Sequence, residues 1–479
     1  MAPMAQNINV QIVTSAFGPE DVEIARVEGH ERIGQLYQFD IEIVAKSPSG
    51  YDVEAMTGVP AAMVFVEEGA AIRQIDGLIV QVTEGLDELS SHPSYRLRMV
   101  PRAHVLTLIH TQEVFLDCTV VDVIEKKLKL CELDHEMLLS GDYPEREFVV
   151  QYAETDLAFI SRLCEHVGIS FYHARDDDRV KLVFTDDNRF HKLAEERHEV
   201  PFVPRGEHLD IYDLDRESNM IPRVYVVSDY NYRTPLVDLK AMCESPVGAG
   251  GGVVEHGAHF KTTAQGEVLA AIRREEAECR RVQFRGKTDR ADLGAGAMFA
   301  LTDHPQFAES DLLVTEAHHE LRQVAGGTSS GDLSYVNRFV AVSSATTFRP
   351  ERLTPRPRMR GIVNGIVLAR PGTDGTQPWL DGEGRYTVRI LFDTASHEEK
   401  ASHAMRMAQA HSGPGYGTHF PLRPGVEVLM AFIDGDVDRP IIVGSVPNPV
   451  TPSPVVENES LHHRIQTATG IKLEFEDGR

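Results

Sequence analysis

Basic residues are scarce in this sequence, and long apolar runs are missing. The 479 residues include 48 Lys and Arg against 73 Asp and Glu, a formal net charge of -25. Such a surface disfavours nucleic acids and anionic membranes as partners, because binding to phosphates needs positive charge. No apolar run reaches the roughly 18 residues that mark a membrane-spanning helix, and Met1–Val10 shows neither part of a secretory signal. We therefore expect a protein that is cytoplasmic at assembly and that does not use the general secretion route.

Cysteine is also rare, and its spacing excludes two kinds of structure. The five cysteines are scattered and form no Cys-x-x-Cys pair: Cys118, Cys131, Cys164, Cys243 and Cys279. An odd, dispersed set predicts neither a disulfide framework nor a zinc knuckle. The sequence therefore predicts folding in a reducing compartment.

Motifs for catalysis and for metal or cofactor binding are missing as well. There is no Gly-x-Ser-x-Gly elbow and no His-Glu-x-x-His pair. Neighbouring histidines occur as three pairs: His318 with His319, His256 with His259, and His397 with His403. Adjacent residues of a strand point to opposite faces, so His318 and His319 are not expected to face one ion. The prediction is a protein that is not an enzyme, with structural histidines, no metal ligands and no cofactor.

The spacing of apolar residues predicts a mainly β protein. Length alone favours about three domains. Five segments before Pro101 read as short strands: Asn7–Ser15, Gln38–Val44, Ala61–Glu67, Arg73–Val82 and Tyr95–Val100. Short strands separated by Gly and Pro favour an antiparallel barrel or sandwich. A second strand-rich region runs from about Val224 to Phe348 and holds a charged helix near Thr263–Arg281.

Between these two regions the pattern changes to a mixture of helix and strand. Thr119 with Asp122 resembles a capping box, and apolar residues at helical spacing follow it. Thr155 opens a second helix, which Gly168 is suited to end. A glycine run further on, Gly248–Gly252, lacks the Lys-Ser/Thr of a phosphate loop, so we interpret it as a flexible loop.

Beyond a proline-rich linker at Thr354–Arg358, the pattern predicts a small barrel. Four short strands follow the linker: Gly361–Ala369, Gly384–Phe392, Val426–Ile433 and Pro440–Val446. Strands of this number and length favour a closed barrel of the OB type. In the tail, Ile471, Leu473 and Phe475 alternate with charged residues, which predicts one more strand. A lone strand cannot bury its apolar face, so either a partner chain covers it or the fold continues beyond the sequence.

Four segments carry a resemblance to one family, and they occur in that family's order. Gln151–Leu163 reads Gln-Tyr-x-Glu-x-Asp-x-x-Phe-x-x-Arg-Leu, and Asp381–Val388 reads Asp-x-x-Gly-Arg-x-x-Val. Pro421–Val428 contains Arg-Pro-Gly-Val-Glu-Val, and Phe432–Asn448 begins Phe-x-x-Gly-Asp-x-Asp-Arg-Pro. From about residue 20 to its end, the chain resembles the VgrG spike proteins of type VI secretion systems, in the phage tail hub and spike family.

The resemblance marks a set of structural positions and no catalytic ones. They are Gln151, Tyr152, Asp156, Phe159, Arg162, Gly384, Arg385, Gly425, Glu427, Gly435, Asp436, Asp438, Arg439, Pro440, Gly444 and Asn448. The acidic turn Asp434–Asp438 offers oxygens at alternate positions, as a calcium loop does, but it lacks the later glutamate. We therefore interpret it as a turn in which Asp side chains cap backbone amides and Arg439 is an ion partner.

The resemblance also implies an architecture. It implies a mainly β fold with a mixed α/β insertion, two hub-type β-barrels, an OB-fold barrel and the start of a trimeric β-helix. The expected domains are a first hub barrel (1–105), the mixed insertion (106–222), a second hub barrel with a helix (223–352), the OB domain (353–450) and a linker with the start of the needle (451–479).

The function implied by the resemblance is that of a mechanical part. A homotrimer would cap the inner tube of a contractile injection system and puncture target membranes, after which it is secreted or injected. The implied partners are two further copies of the chain, a hexameric inner-tube protein, a PAAR-type tip protein, an effector or its adaptor, and the baseplate. Leu391–Asp393 and His403–Arg406 depart from the family's pattern. Two alternatives therefore stay open: the spike of an extracellular injection particle, and a phage-tail-like protein that binds or degrades cell wall or carbohydrate.

Overall fold

Antiparallel strands dominate both of the units into which the chain divides. The computed structural model describes residues 8–67, 69–85, 92–176, 179–191, 198–203, 210–307, 310–323, 333–394 and 402–478. The larger unit comprises Met1–Leu108, Ile124–Asp142 and Ile160–Thr354. The smaller unit comprises Ile109–Val123, Tyr143–Phe159 and Pro355–Arg479.

The strands and helices of the described residues follow in chain order. The strands are β1 (Ile8–Thr14), β2 (Val22–Arg32), β3 (Gln38–Ala45), β4 (Pro60–Glu67), β5 (Ala70–Gly85), β6 (Ser94–Val100), β7 (His110–Cys118), β8 (His135–Leu138), β9 (Arg146–Thr155), β10 (Ser170–Asp176), β11 (Arg179–Thr185), β12 (His198–Pro201), β13 (Ile211–Ser218), β14 (Pro222–Asp229), β15 (Leu239–Glu244), β16 (Gly250–His256), β17 (Val282–Thr288), β18 (Met298–Thr302), β19 (Ser310–Gln323), β20 (Leu333–Ser343), β21 (Val363–Val367), β22 (Tyr386–Ile390), β23 (Ser402–Met405), β24 (Ser412–Gly413), β25 (Tyr416–Gly417), β26 (Glu427–Phe432), β27 (Pro440–Ser445), β28 (His462–Gln466) and β29 (Lys472–Glu476). The helices are α1 (Val53–Met56), α2 (Val105–Leu108), α3 (Val120–Leu130), α4 (Asp156–Val167) and α5 (Thr263–Glu278). None of these helices is long and apolar enough to span a membrane.

One large sheet organises the larger unit. Its strands lie in the order β1-β4-β5-β6-β3-β2-β19-β20-β17-β13, and β18 pairs with β19 and β12. Along β3, buried residues alternate strictly with partly exposed ones, as expected where one face covers a core. That core includes Phe39, Ile41, Phe65 and Leu97, each without measurable exposure. The predicted mainly β fold is confirmed, and the sheet joins the two strand-rich regions that the sequence predicts.

The two halves of the large sheet use the same packing device. Gly29 of β2 lies directly opposite Phe39 of β3, and Gly286 of β17 lies opposite Phe339 of β20. A Cβ atom at Gly29 would lie 2.0 Å from the Phe39 ring, and one at Gly286 would lie 2.2 Å from the Phe339 ring. Each ring therefore packs over a glycine backbone that no side chain shields.

The helix boundaries agree with the capping signals in the sequence. At the start of α3, the Thr119 amide donates to Asp122 Oδ2 at 2.9 Å, and the Asp122 amide donates to Thr119 Oγ1 at 3.1 Å. At the start of α4, the Ala158 amide donates to Thr155 Oγ1 at 3.1 Å. Gly168 follows α4 with a φ of +77°, which a residue with a Cβ adopts at a cost. Both predicted helices are confirmed.

A smaller three-stranded sheet in the larger unit corrects one prediction. Its order is β15-β14-β16, and α5 packs on it through a core that includes Leu269 and Ala270. The run Gly248–Gly252 was predicted to be a flexible loop, and this is wrong, because β16 begins at Gly250 and pairs in parallel with β14. A Cβ at Gly248 would lie 2.5 Å from the Arg223 Cα, so the glycines permit close approach of two backbones.

The smaller unit contains a closed five-stranded barrel. Its sheet has the order β23-β22-β21-β26-β27. The chain just after β23 closes it, since the Ile442 amide of β27 donates to Arg406 O at 3.0 Å and the Ala408 amide donates to Ile442 O at 2.8 Å. Tyr386, Val388, Val428 and Met430 fill the interior. The predicted OB-type barrel is confirmed.

The hairpin β7–β9 belongs to the smaller unit as well. Its residues Val114, Phe148 and Val150 join the apolar core of the barrel. The Val150 amide donates to Asp438 Oδ1 at 2.7 Å, so a side chain beyond the barrel strands also fixes this hairpin. The core of the smaller unit therefore draws on segments about 300 residues apart in sequence.

Candidate functional site

The first signature segment forms a buried polar corner where β9 ends and α4 begins. Gln151 is buried, and its Nε2 donates to Asp156 Oδ1 at 2.8 Å and to Glu154 O at 3.2 Å. Tyr152 packs edge-on against the Phe392 ring, with 5.2 Å between ring centroids. These contacts join β9 to the first turn of α4 and to the barrel.

Two further residues of that segment lie on α4. Phe159 is fully buried, with its ring centroid 5.5 Å from that of Phe115. Arg162 is also buried, but it belongs to the larger unit, whereas Gln151, Asp156 and Phe159 belong to the smaller one. The helix therefore takes part in both units.

The second signature segment makes the turn that enters β22. Gly384 has a φ of +73°, and its amide donates to Asp381 O at 3.0 Å. The Arg385 guanidinium donates to Asp381 Oδ2 at 2.7 Å, and the Arg385 amide donates to Asp381 Oδ1 at 2.9 Å. Burial alone would raise the pKa of Asp381, but these hydrogen bonds outweigh it and lower that pKa. One carboxylate thus fixes the whole turn.

The third segment meets the end of the fourth through Glu427. Gly425, with a φ of +85°, turns the chain into β26, where Glu427 accepts hydrogen bonds from the Asn364 and Asn448 side-chain amides. The Asn448 Oδ1 accepts from the Thr451 amide at 2.9 Å. The structure therefore brings two residues of separate signatures into contact, and both hold the chain where it leaves the barrel.

The acidic turn between β26 and β27 agrees with its interpretation as a capped turn. Asp436 is nearly buried, its Oδ1 accepts from the Asp438 amide at 3.2 Å, and its Oδ2 lies 3.4 Å from Arg439 Nε. Gly435 has a φ of +70°, and Pro440 opens β27 opposite Phe432. These residues shape a turn.

Gly444, the remaining signature residue, lies in β27 beside a register shift. It pairs with Leu429, next to the point where the pairing of β26 and β27 changes register. A Cβ at Gly444 would meet no atom within 4 Å, so the space around this residue does not require glycine.

The hairpin β28–β29 has one polar face and one apolar face. On the polar face, the Arg464 guanidinium lies 2.7 Å from Glu459 Oε1 and also pairs with Glu474. On the other face lie four apolar side chains that are at least half exposed: Ile465 (51%), Ile471 (73%), Leu473 (53%) and Phe475 (63%). Ile465 and Leu473 are direct cross-strand partners, so they form one continuous apolar surface with the other two. The predicted tail strand exists, but it pairs with β28, which the sequence analysis did not predict.

A buried charged cluster joins the two halves of the large sheet. Glu31 of β2 accepts from the Arg73 guanidinium at 2.8 Å and from His319 Nε2 of β19 at 2.7 Å, and His319 Nδ1 lies 2.6 Å from the Tyr335 hydroxyl. Burial alone would raise the pKa of Glu31, but Arg73 and His319 outweigh it and hold that pKa well below its usual range. Burial lowers the pKa of His319. A neutral His319 that donates to Glu31 and accepts from Tyr335 satisfies every partner in this cluster.

The opposite face of the same strand pair carries residues that the sequence analysis did not combine. His318 and Glu316 of β19 lie beside His30 of β2, which the sequence analysis did not place on a strand. The expectation that His318 and His319 face opposite sides of the sheet is confirmed, since His319 is buried and His318 is exposed. His397, the partner considered for His403, lies outside the described residues.

Comparison with known proteins identifies the family. Residues 30–325 match the phage tail baseplate hub (GPD) family, and residues 379–446 match the OB domain of type VI secretion system and phage-baseplate injectors. The type VI secretion system spike protein VgrG1c of Pseudomonas aeruginosa is 28% identical over 93% of this chain, and VgrG5 of the same organism is 30% identical over 88%. The VgrG3 spike protein of Vibrio cholerae is 28% identical over 91%.

Solved structures show the same fold. The Escherichia coli c3393 protein, a component of the type VI secretion system, matches with a TM-score of 0.65 and 21% identity over 91% of this chain and all of its own. A chain of the Francisella PdpA-VgrG complex matches with a TM-score of 0.64 and 8% identity, over 98% of this chain and 75% of its own.

The matches also define how much of a relative this chain represents. It spans 62% of the length of VgrG1c, 55% of VgrG5 and 44% of VgrG3. The matched part includes both the hub region and the OB domain. The chain therefore belongs to the phage tail baseplate hub family, as one of the VgrG spike proteins of type VI secretion systems.

Proposed function

We propose that this protein acts as a homotrimeric hub and spike, which caps the inner tube of its secretion system and is driven through a target membrane. The apolar face of β28–β29 carries this proposal. A hairpin whose polar face is ion-paired and whose apolar face is bare gains stability when another apolar surface covers it. Three copies of the hairpin around a common axis supply that cover to one another, because a closed ring leaves no copy with an open face.

The proposed role is passive. Load can pass through a trimer whose strands and apolar surfaces are shared among chains, and this needs no active site. In the described residues, the Glu31 carboxylate already accepts hydrogen bonds from Arg73 and His319, so its low pKa has a structural cause. We accordingly expect no release of fragments from purified peptidoglycan, and measurable turnover would favour the cell-wall-degrading alternative.

The proposed partners follow from the position of such a spike. They are the hexameric inner-tube protein at the hub end, the baseplate, a PAAR-type tip protein, and an effector or its adaptor. The Francisella relative is a VgrG in complex with another protein, PdpA, which supports a protein partner for this chain as well. We propose that assembly takes place in the cytoplasm and that the protein is then secreted or injected.

A pair of double variants tests the proposed trimer. Leu473→Ser with Phe475→Ser removes apolar side chains from the bare face, whereas Lys472→Ser with Glu476→Ser changes the opposite face of the same strand and serves as the control. Light scattering after size-exclusion chromatography measures the native mass of each. We expect three chains for the control and one for the apolar-face variant, and equal masses for both would contradict this role of the hairpin.

A further inference from the structure

Three metal-ligating side chains meet on the exposed face of the β2–β19 pair. His30 and His318 are direct cross-strand partners, and Glu316 precedes His318 by two residues on the same face of β19. The His30 and His318 rings lie 4.4 Å apart between centroids. The sheet register therefore brings together residues 286 positions apart in the sequence.

The spacing of the three ligand atoms suits a metal ion. Glu316 Oε1 lies 3.2 Å from His30 Nε2 and 3.2 Å from His318 Nε2, and one ligand atom from each residue lies within 4.8 Å of the others. Ligands at about 2.0–2.2 Å from Zn²⁺ are separated by about 3.4 Å in tetrahedral geometry and by about 3.0 Å at right angles. The two measured separations fall between these values.

The surroundings of the cluster leave its carboxylate available. The nearest arginines on the same face have other partners, since Arg32 lies 3.2 Å from Glu351 and Arg338 lies 2.9 Å from Glu320. The three side chains are partly exposed, at 35% for His30, 29% for Glu316 and 52% for His318. Water therefore has access to complete the coordination of an ion.

We propose that His30, Glu316 and His318 bind a divalent transition-metal ion of the Zn²⁺ class. Two neutral imidazoles and one carboxylate form a donor set that suits Zn²⁺, Ni²⁺ or Cu²⁺ and disfavours Ca²⁺ and Mg²⁺, which prefer oxygen ligands. Each residue supplies one atom, Nε2 from each histidine and an Oε atom from Glu316, and solvent fills the open positions.

The ion has a mechanical consequence for the fold. β2 ends the N-terminal half of the large sheet and β19 begins the C-terminal half, so these two strands are the seam between the halves. The buried Glu31–Arg73–His319 cluster lies on the inner face of this seam, and the proposed ion lies on its outer face. A bound ion adds a crosslink that must break before the halves separate.

Metal titration of the full chain tests the proposal. The tag-free protein is stripped with a chelator, dialysed, and titrated with Zn²⁺ in competition with a chromophoric chelator of known affinity. We compare wild type with His30→Asn, His318→Asn and Glu316→Gln, and with His110→Asn as a control, because His110 is also an exposed histidine on a strand. We expect wild type and the control to bind one Zn²⁺ that each of the three variants binds at least tenfold more weakly.

Two further readouts keep the outcome decisive. Zn²⁺ raises the thermal unfolding temperature of wild type and of His110→Asn, and it leaves that of His30→Asn unchanged. Co²⁺ gives wild type a d–d absorption band that the site variants lack. Circular dichroism of the metal-free proteins confirms that the variants are folded. Equal Zn²⁺ affinity in wild type and His30→Asn, or no binding of Zn²⁺, Ni²⁺ or Cu²⁺ by wild type, would overturn the proposal.

Discussion

Two antiparallel strand pairs of this molecule treat their apolar faces in opposite ways. The pair β2–β19 lies inside a large sheet, where one of its faces covers the core and buries the Glu31 cluster. The pair β28–β29 stands alone in its sheet, and its apolar face is exposed at Leu473 and Phe475. The larger unit thus supplies its own cover, whereas the terminal hairpin gains from cover supplied by other chains.

The comparison predicts that the same kind of substitution has different effects in the two places. At the seam of the large sheet, a change should act on the unfolding of the larger unit. In the hairpin, a change should act on association. The single tryptophan, Trp379, belongs to the smaller unit, so its fluorescence follows that unit, and far-UV circular dichroism follows both.

The largest effect is expected from Glu31→Ala. Removal of this carboxylate leaves Arg73 buried without its ion partner, which typically costs about 3–5 kcal/mol. Urea unfolding followed by circular dichroism measures the loss, and the Trp379 transition serves as an internal reference. Glu42→Ala is the control, because its pair with Arg96 is exposed and should contribute less than about 1 kcal/mol. Equal effects of the two variants would contradict the role of the buried cluster.

Acid should weaken the larger unit over a defined pH range. Burial lowers the pKa of His173 and of His191 from 6.5 to about 4, so both stay neutral in the folded chain and take up protons on unfolding. Their stabilising contribution is complete above pH 6.5 and is lost as the pH falls towards 4, by up to about 1.4 kcal/mol per pH unit for each histidine. His173→Gln should flatten this dependence in urea unfolding, and His110→Gln should not. An unchanged slope for His173→Gln would count against a buried neutral imidazole there.

A smaller loss is expected from Gly29→Ala. The added Cβ would lie 2.0 Å from the Phe39 ring, and forcing a methyl group into such a contact typically costs about 1–3 kcal/mol. Gly250→Ala is the matched control, because it is also a strand glycine and its Cβ would meet nothing within 4 Å. Chemical unfolding of both variants distinguishes the two sites, and an unaffected Gly29→Ala protein would show that Phe39 moves aside freely.

The smallest effect on folding is expected from Leu473→Ala in the hairpin. Its side chain is half exposed, so in dilute solution the unfolding free energy should change by less than about 0.5 kcal/mol. Leu97→Ala, in the core of the large sheet, should cost about 2–5 kcal/mol because it leaves a cavity. A Leu473 variant as unstable as the Leu97 variant would mean that the hairpin is covered within its own chain.

Local signals in the sequence predicted what depends on local chemistry. The capping box at Thr119 and Asp122, the glycine that ends α4 and the strict alternation of β3 are all read within a few residues. The barrel strands of the smaller unit follow from the same kind of pattern. These elements need no knowledge of distant contacts.

The strand β2 was missed because its alternation changes phase. Val22 and Ile24 face the core, and then a register shift between Ile24 and Arg26 turns Val27 and Gly29 to that face in their place. A bulge of this kind breaks a period of two. With β2 missing, neither the inward Glu31 nor the pairing of His30 with His318 could be predicted.

The hairpin shows a different limit. β28 reads His-His-Arg-Ile-Gln and contains a single apolar residue, Ile465, so its strand pattern is weak. It forms by pairing with β29, whose alternation is clear. The sequence analysis therefore predicted an uncovered apolar strand correctly, but it described a lone strand where the structure has a pair.

The native mass of the chain tests the central claim most directly. Light scattering of the purified protein over a range of concentrations gives the number of chains per particle without reference to any substitution. The account predicts a species of three times 53.3 kDa that persists on dilution. A well-folded species that stays at 53.3 kDa up to high concentration would contradict it.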